Sequence, residues 1–230
     1  MSEEISFTEG DGGDANAKPQ TTTVTVPDGG VTSTSVVVDY KTMNGNQPGT
    51  YSNSVALYQG GPELPWGEKP LKTQANLGAT QDGTFPFTDV KIQDKAYVVV
   101  YAVGNDAGTT DFPLANVVAT AYFTGTTGSP EHFVPSVKVT YVGSDSVVVA
   151  YDLPPGQTPQ TNGHYLAMWE SSTYSYTRTP DMGTQKITSD QASRTQAWNV
   201  SMLTGTTYTI AYVAGKKQTD IACAVTFTTK

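Results

Sequence analysis

A chain of 230 residues with 37% hydrophobic and 15% charged side chains suits one large domain or two small ones. Thirteen basic against 21 acidic residues leave a net charge of −8, which opposes nucleic acid as a partner. No stretch approaches the ~20 apolar residues of a membrane-spanning helix, so membrane insertion is not expected. One cysteine, Cys223, can form no internal disulfide and supplies too few thiolates for a structural zinc site.

Residues 1–20 read as a flexible acidic tail: Glu3, Glu4, Glu9, Asp11 and Asp14 stand against the single base Lys18 in a Gly-rich stretch with little to bury. The segment lacks the basic and apolar regions of a secretory signal, which predicts synthesis in the cytoplasm, with lysis or leaderless export as the routes outward.

Two similar halves follow. Thr34-Ser-Val-Val-Val-Asp-Tyr40 matches Asp145-Ser-Val-Val-Val-Ala-Tyr151 at an offset of 145 − 34 = 111. The same offset sets Val55–Tyr58 on Leu166–Trp169, Phe87 on Trp198, and Ala96–Ala102 on Thr207–Val213. Tyr122–Gly125 then matches Thr226–Thr229 at 226 − 122 = 104, so the first copy carries 111 − 104 = 7 extra residues before its last strand. One ungapped offset holding four strand-like segments in register is an internal duplication. It predicts a first β-sandwich over 21–124, a Thr/Gly linker over 125–131, and a second sandwich over 132–230.

Both halves alternate with period two. Val36, Val38 and Tyr40, and again Val147, Val149 and Tyr151, fall on one face of a strand. Ile221, Cys223, Val225 and Phe227 share a face in the last strand, which makes Cys223 a small core residue. Asn44-Gly45, Asp82-Gly83, Pro154-Pro-Gly156, Asn162-Gly163 and Thr204-Gly205 mark turns. The best helix candidate is Ser189–Trp198. The fold class expected is all-β, two tandem immunoglobulin-like sandwiches.

Leu203-Thr-Gly-Thr-Thr-Tyr208 and the alternating strand after it resemble the E–F corner and F strand of fibronectin type III domains. Val137–Pro155 resembles that family's A and B strands, and Ala224–Thr229 its G strand. The resemblance implies that the Tyr208 hydroxyl ties back to nearby backbone. Tyr40 and Tyr151 stand where the family usually carries Trp.

Chemistry-bearing motifs are sparse. There is no phosphate loop and no nucleophile elbow. His132 and His164 share no ligand spacing on one element, and Glu63, Glu68, Glu170 and Asp181 are loop acids; catalysis, metal and cofactor are not expected. The loops after the third strand of each copy, Gln59–Pro70 and Glu170–Pro180, instead place aromatics among polar residues. Trp66, Tyr174, Tyr176 and Arg178 are therefore the candidate ligand-binding residues, with Asn105 and Asp106 from the enlarged loop of the first copy. The competing placement has Trp66 and Tyr174 covering a sandwich edge or sitting between the domains. The composition suits a non-catalytic binding or adhesion protein recognising carbohydrate or a protein surface, with self-association open to it. The alternatives are a structural building block of a virion, fibre or secretion apparatus, and an enzyme with an interdomain site.

Overall fold

In a computed structural model, residues 19–75, 77–105 and 111–230 are described; most of the expected tail, residues 1–18, lies outside them. These residues form β1 (Gln20–Thr21), β2 (Thr23–Thr25), β3 (Ser35–Lys41), β4 (Ser54–Gln59), β5 (Lys72–Ala75), β6 (Asp82–Thr88), β7 (Ala96–Ala102) and β8 (Val117–Thr124). They continue with β9 (Glu131–Phe133), β10 (Ser136–Val142), β11 (Ser146–Asp152), β12 (Tyr165–Trp169), β13 (Thr184–Lys186), β14 (Ser193–Asn199), β15 (Thr207–Val213) and β16 (Ile221–Thr228). The only helical turn among them is a 3-10 turn at Leu114–Asn116.

The strands make two immunoglobulin-like β-sandwiches, each a three-stranded sheet facing a five-stranded one. The first pairs β2-β3-β6 with β5-β4-β7-β8-β9, and the second pairs β10-β11-β14 with β1-β16-β15-β12-β13. The duplication is visible in the register. Val36 lies opposite Phe87 and Val147 opposite Trp198, both at the offset of 111. In β3 and β11 every second residue is buried, as the period-two pattern requires. Val36, Val38 and Tyr40 join Leu57, Tyr97, Val99, Tyr101 and Phe123 between the sheets of the first copy; Val147, Val149 and Tyr151 join Leu166, Tyr208, Ile210, Tyr212 and Phe227 in the second. Each such side chain taken from water contributes roughly 1.5–3 kcal/mol.

The two copies exchange their first strands. β1 opens the first copy, yet it pairs with β16 of the second, Gln20 opposite Ala224. Two residues on, β2 pairs with β3 of its own sandwich, Val24 opposite Tyr40. The second copy repeats the manoeuvre: β9 pairs with β8 of the first sandwich, Phe133 opposite Thr120, before β10 pairs with β11, Val137 opposite Tyr151. The matching positions are 133 − 20 = 113 and 137 − 24 = 113 apart. The two crossovers touch where the Thr21 hydroxyl donates to the Pro135 carbonyl at 2.7 Å. Residues 125–130 thus form the turn of a β8–β9 hairpin, with Gly128 N–H donating to the Thr124 carbonyl at 3.1 Å.

Two expectations are corrected. Ser189–Trp198 is no helix: Ser193–Asn199 is β14, paired along its whole length with β11, which buries Trp198 and leaves Ser193–Thr195 exposed. Tertiary pairing overrides a weak helical preference there. Ile221 does not share the core face with Cys223, Val225 and Phe227, because an irregularity between Tyr212 and Val213 pairs Val213 with Ile221 and Tyr212 with Cys223. The shift turns Ile221 outward to the set that contains Ala224, while Cys223 stays in the core.

The expected tyrosine corner is present, in both copies. The Tyr208 hydroxyl accepts the Leu203 N–H at 2.8 Å, and the Tyr97 hydroxyl accepts the Gln93 N–H at 2.9 Å. Tyr208→Phe keeps the ring and removes the acceptor, so urea unfolding should show a loss of about 1–3 kcal/mol. A loss below ~0.5 kcal/mol would mean that the corner is held by ring packing alone.

Candidate functional site

In an antiparallel sandwich the outer face of a sheet normally meets water. Here the central strands of both five-stranded sheets bury both faces: β4, β7, β12 and β15 are buried along nearly their whole length. The outer face of the second sandwich is covered in part by a loop of the first; that of the first is covered by its own Leu64, Phe112 and Leu114, over which a loop of the second sandwich closes through hydrogen bonds, so that the two form a clasp.

The covering loops, Met43–Asn53 and Pro154–His164, have the same fold because they close on the same backbone bonds. Asn46, Tyr51, Ser52 and Asn53 N–H groups donate to Met43, Gln47, Gly49 and Pro48 carbonyls. At the offset of 111, Gln157, Asn162, Gly163 and His164 donate to Pro154, Thr158, Gln160 and Pro159. The left-handed position at the end of each loop falls to Ser52 (φ 57°) in the first copy and Gly163 (φ 74°) in the second.

In one half of the clasp, Met43 and Tyr51 rest on Ala167, Trp169, Ala211, Val213, Ile221 and Ala224 of the second sandwich. Tyr176 stacks on Tyr51 with ring centroids 5.3 Å apart. The Tyr174 hydroxyl reaches Gln20 Oε1 at 2.6 Å and the Asn44 carbonyl at 2.8 Å. In the other half, Leu64 N–H donates to the Pro155 carbonyl at 3.0 Å and Trp66 Nε1 to the Gly156 carbonyl at 2.7 Å. Gln157 Nε2 donates to the Leu114 and Val117 carbonyls at 3.2 and 2.8 Å. His164 Nε2 lies 2.8 Å from the Ala115 carbonyl, so Nε2 carries the proton there; in the neutral ring Nδ1 then accepts from the Tyr212 hydroxyl at 3.1 Å. Leu114, Ala115 and Phe112, which packs on Tyr58, all belong to the segment enlarged in the first copy.

The halves differ in how their buried amides are satisfied. Gln157 satisfies its amide completely, its Oε1 accepting from Thr158 N–H and Asn162 Nδ2. Asn46, its counterpart at 157 − 46 = 111, is one methylene shorter; its Nδ2 donates to Asn53 Oδ1 at 2.8 Å. Asn46 Oδ1 and the Tyr176 hydroxyl are buried without a protein partner.

The clasp accounts for the aromatic loops predicted from the sequence. Tyr174 and Tyr176 lie against the first sandwich. Trp66 bonds the second but keeps 43% of its surface exposed. Arg178 is exposed, pairs with Asp181 at 2.9 Å, and gives its carbonyl to Trp169 Nε1 at 3.0 Å. Asn105 is half-buried at the start of the enlarged loop, and Asp106 lies outside the described residues. The structure therefore brings Tyr174 and Tyr176 together with Tyr51 and seats Trp66 on the opposite half. His132, Glu63, Glu68 and Glu170 are exposed, and Cys223 is buried, its thiol pushed well above the usual range by desolvation. Among the described residues no three His, Cys, Asp or Glu side chains gather as a metal site. Met43, Tyr51, Gln157 and Asp220 are not among the candidates the sequence suggests; the offset of 111 between the loops at 43–53 and 154–164 is a signal for the first three, and none marks Asp220.

Two glycines show how close the approach is. Gly104 (φ 72°) follows β7 by two residues, and a Cβ there would collide with Oδ1 of the fully buried Asp220 in the second sandwich. Gly163 has nearly the same φ, 74°, with open space around it. Both Ala variants carry the left-handed strain of ~1 kcal/mol, but only Gly104→Ala also collides across the clasp. Thermal unfolding should therefore place Gly104→Ala at least about 2 kcal/mol below Gly163→Ala; equal losses would contradict the contact.

Burial lifts the tyrosine hydroxyls of the clasp. Tyr58 is pushed to about 12 by desolvation and then by Asp111, and Tyr174 and Tyr176 are raised further, by desolvation first. A raised folded pKa contributes stability that is complete below the unfolded value of 10.0 and is lost as pH rises through the folded values. Stability should thus be insensitive to these groups up to pH 10 and fall above it, with the tyrosinate absorbance of these three groups appearing together with unfolding. Early tyrosinate absorbance from Tyr174→Phe-sensitive groups in a still-folded chain would contradict their burial.

No family model and no curated protein matches the chain. Among solved structures it is similar to a DUF3823 family protein from Bacteroides uniformis, at 12% identity over 92% of this chain and 100% of that one, with a TM-score of 0.35. It is similar also to the FN1-FN3 domains of chicken CNTN1 (15% identity, 92% of this chain, 66% of that one, TM-score 0.28). A third likeness is to Salmonella alpha-2-macroglobulin (9% identity, 90% and 16%, TM-score 0.24). The strand order and register themselves define the class: a pair of immunoglobulin-like β-sandwiches.

Proposed function

We propose that the chain is a non-catalytic binding protein in which two fibronectin type III-like sandwiches, clasped into one support, engage a protein surface through the free end of the second sandwich. The observation that carries this reading is a break in the repeat. Leu203, whose N–H is held by the corner tyrosine Tyr208, is 64% exposed, where the first copy has Gln93 held by Tyr97. Tyr141, 52% exposed, stands where the first copy has Gly30 (141 − 30 = 111), and Val142 beside it is also exposed. Both segments come to the same end of the sandwich: Tyr141 and Val142 lead into the turn at Gly143–Ser144, and the Ser144 carbonyl accepts the N–H of Met202, the residue before Leu203, at 2.9 Å. An exposed Leu–Tyr–Val set at one end of an otherwise repeated body has the composition of an interface centre rather than of a solvated loop.

Panning a displayed peptide library and a glycan array against the intact chain tests this. Peptide binders lost in Leu203→Glu and kept in Trp66→Ala are the expected result. Glycan binding lost in Trp66→Ala and kept in Leu203→Glu would overturn it in favour of carbohydrate recognition by the remaining exposed aromatic loop. Self-assembly of the unliganded chain in light scattering, abolished by Leu203→Glu, would move the end of the second sandwich to a structural building role.

A further inference from the structure

Two Asn-Gly pairs, read above as turns, both lie in the loops of the clasp. In such a pair the amide nitrogen of Gly, unhindered by a Cβ, can attack the preceding side-chain amide. The structure holds the two pairs very differently. Asn162 is half-buried; its Nδ2 donates to Gln157 Oε1 at 2.7 Å and Thr158 Oγ1 at 3.2 Å, and the Gly163 N–H donates to the Gln160 carbonyl at 3.1 Å. Both reacting groups are engaged. Asn44 is exposed, and its side-chain amide makes no hydrogen bond among the described residues. It is held through its main chain, whose carbonyl accepts the Tyr174 hydroxyl at 2.8 Å. Gly45 follows at φ 81°, in a turn closed by Asn46 N–H to the Met43 carbonyl.

We propose that Asn44 is a site of spontaneous deamidation built into the clasp, and that the fold protects Asn162 from the same reaction. Gly45 N attacks Asn44 Cγ; the N–Cγ bond forms, the Cγ–Nδ2 bond breaks, and ammonia leaves with the proton from Gly45 N. Solvent water then opens the succinimide, at Cγ to give aspartate or at the main-chain carbonyl carbon to give isoaspartate. The Tyr174 hydroxyl draws electron density from that main-chain carbonyl and favours the isoaspartyl product. Either product adds one negative charge. The isoaspartyl form also routes the main chain through the Asn44 methylene and leaves the carbonyl that Tyr174 held as a free carboxylate off the chain, which uncouples that bond from the loop and weakens the first half of the clasp.

Incubating the intact chain at mildly alkaline pH, followed by peptide mapping, tests the assignment. The expected result is conversion at Asn44, with NH₂ replaced by OH, at least about tenfold faster than at Asn162, a barrier difference of ~1.4 kcal/mol. Conversion of Asn162 at the same rate or faster would overturn it, as would an Asn44 that stays intact while Asn162 changes. In urea the two rates should converge; a difference that persists there belongs to the local sequence and would contradict protection by the fold. Tyr174→Phe should lower the ratio of isoaspartate to aspartate at position 44, and an unchanged ratio would remove the tyrosine from the account.

Discussion

The constraint on which the rest of the structure depends is that two sheets are apolar on both faces. A five-stranded antiparallel sheet buries its inner face in its own sandwich, and β4, β7, β12 and β15 leave a second apolar face that must also be covered. The first sandwich's loop helps to cover the second's, while the first's is closed by its own Leu64, Phe112 and Leu114 beneath a hydrogen-bonded loop of the second. The loops at 43–53 and 154–164, the exchange of β1 and β9, and the enlarged segment carrying Phe112 and Leu114 all serve this burial. The arrangement is that of an isologous dimer interface, in which each partner presents the same surface to the other, realised within one chain.

Repetition and its failures then divide the labour. Where the copies agree, as in the corner tyrosines, the loop hydrogen bonds and the crossovers at Thr21 and Pro135, the residues build the scaffold. Where they disagree, the difference has a local physical consequence. His164 in place of Asn53 reaches across to the Ala115 carbonyl, and Gln157 in place of Asn46 satisfies two carbonyls that the shorter side chain has no counterpart for. Leu203 in place of Gln93 leaves an apolar side chain in solvent, which is why the binding role is assigned to that end.

Much of the fold is legible in the sequence, because strand periodicity and a fixed offset are one-dimensional signals. Val36, Val38 and Tyr40, the pairing of Phe87 with Trp198 as equivalents, and the role of Tyr208 can all be read from spacing and resemblance. The run Tyr97–Val103 carries a further message: seven consecutive apolar residues fit a strand buried on both sides better than one with a wet face. The phase of Ile221 is not legible, since a bulge leaves no mark in the pattern of β16. The destination of Tyr174, Tyr176 and Trp66 is not legible either. An aromatic side chain in a polar loop looks the same whether it meets a ligand or a neighbouring domain, and only the loop of the other copy, 90 to 130 residues away, decides it.

The strand exchange and the clasp have a direct thermodynamic consequence: neither sandwich can unfold without stripping an edge strand and a bonded loop from the other. Differential scanning calorimetry of the intact chain tests this. The account predicts one transition whose van't Hoff enthalpy equals the calorimetric one, about twice the ~60–80 kcal/mol of a 100-residue domain. Two resolved transitions, or a van't Hoff enthalpy near that of a single sandwich beneath a larger calorimetric value, would show that the sandwiches unfold independently and would contradict the clasp as the organising interaction.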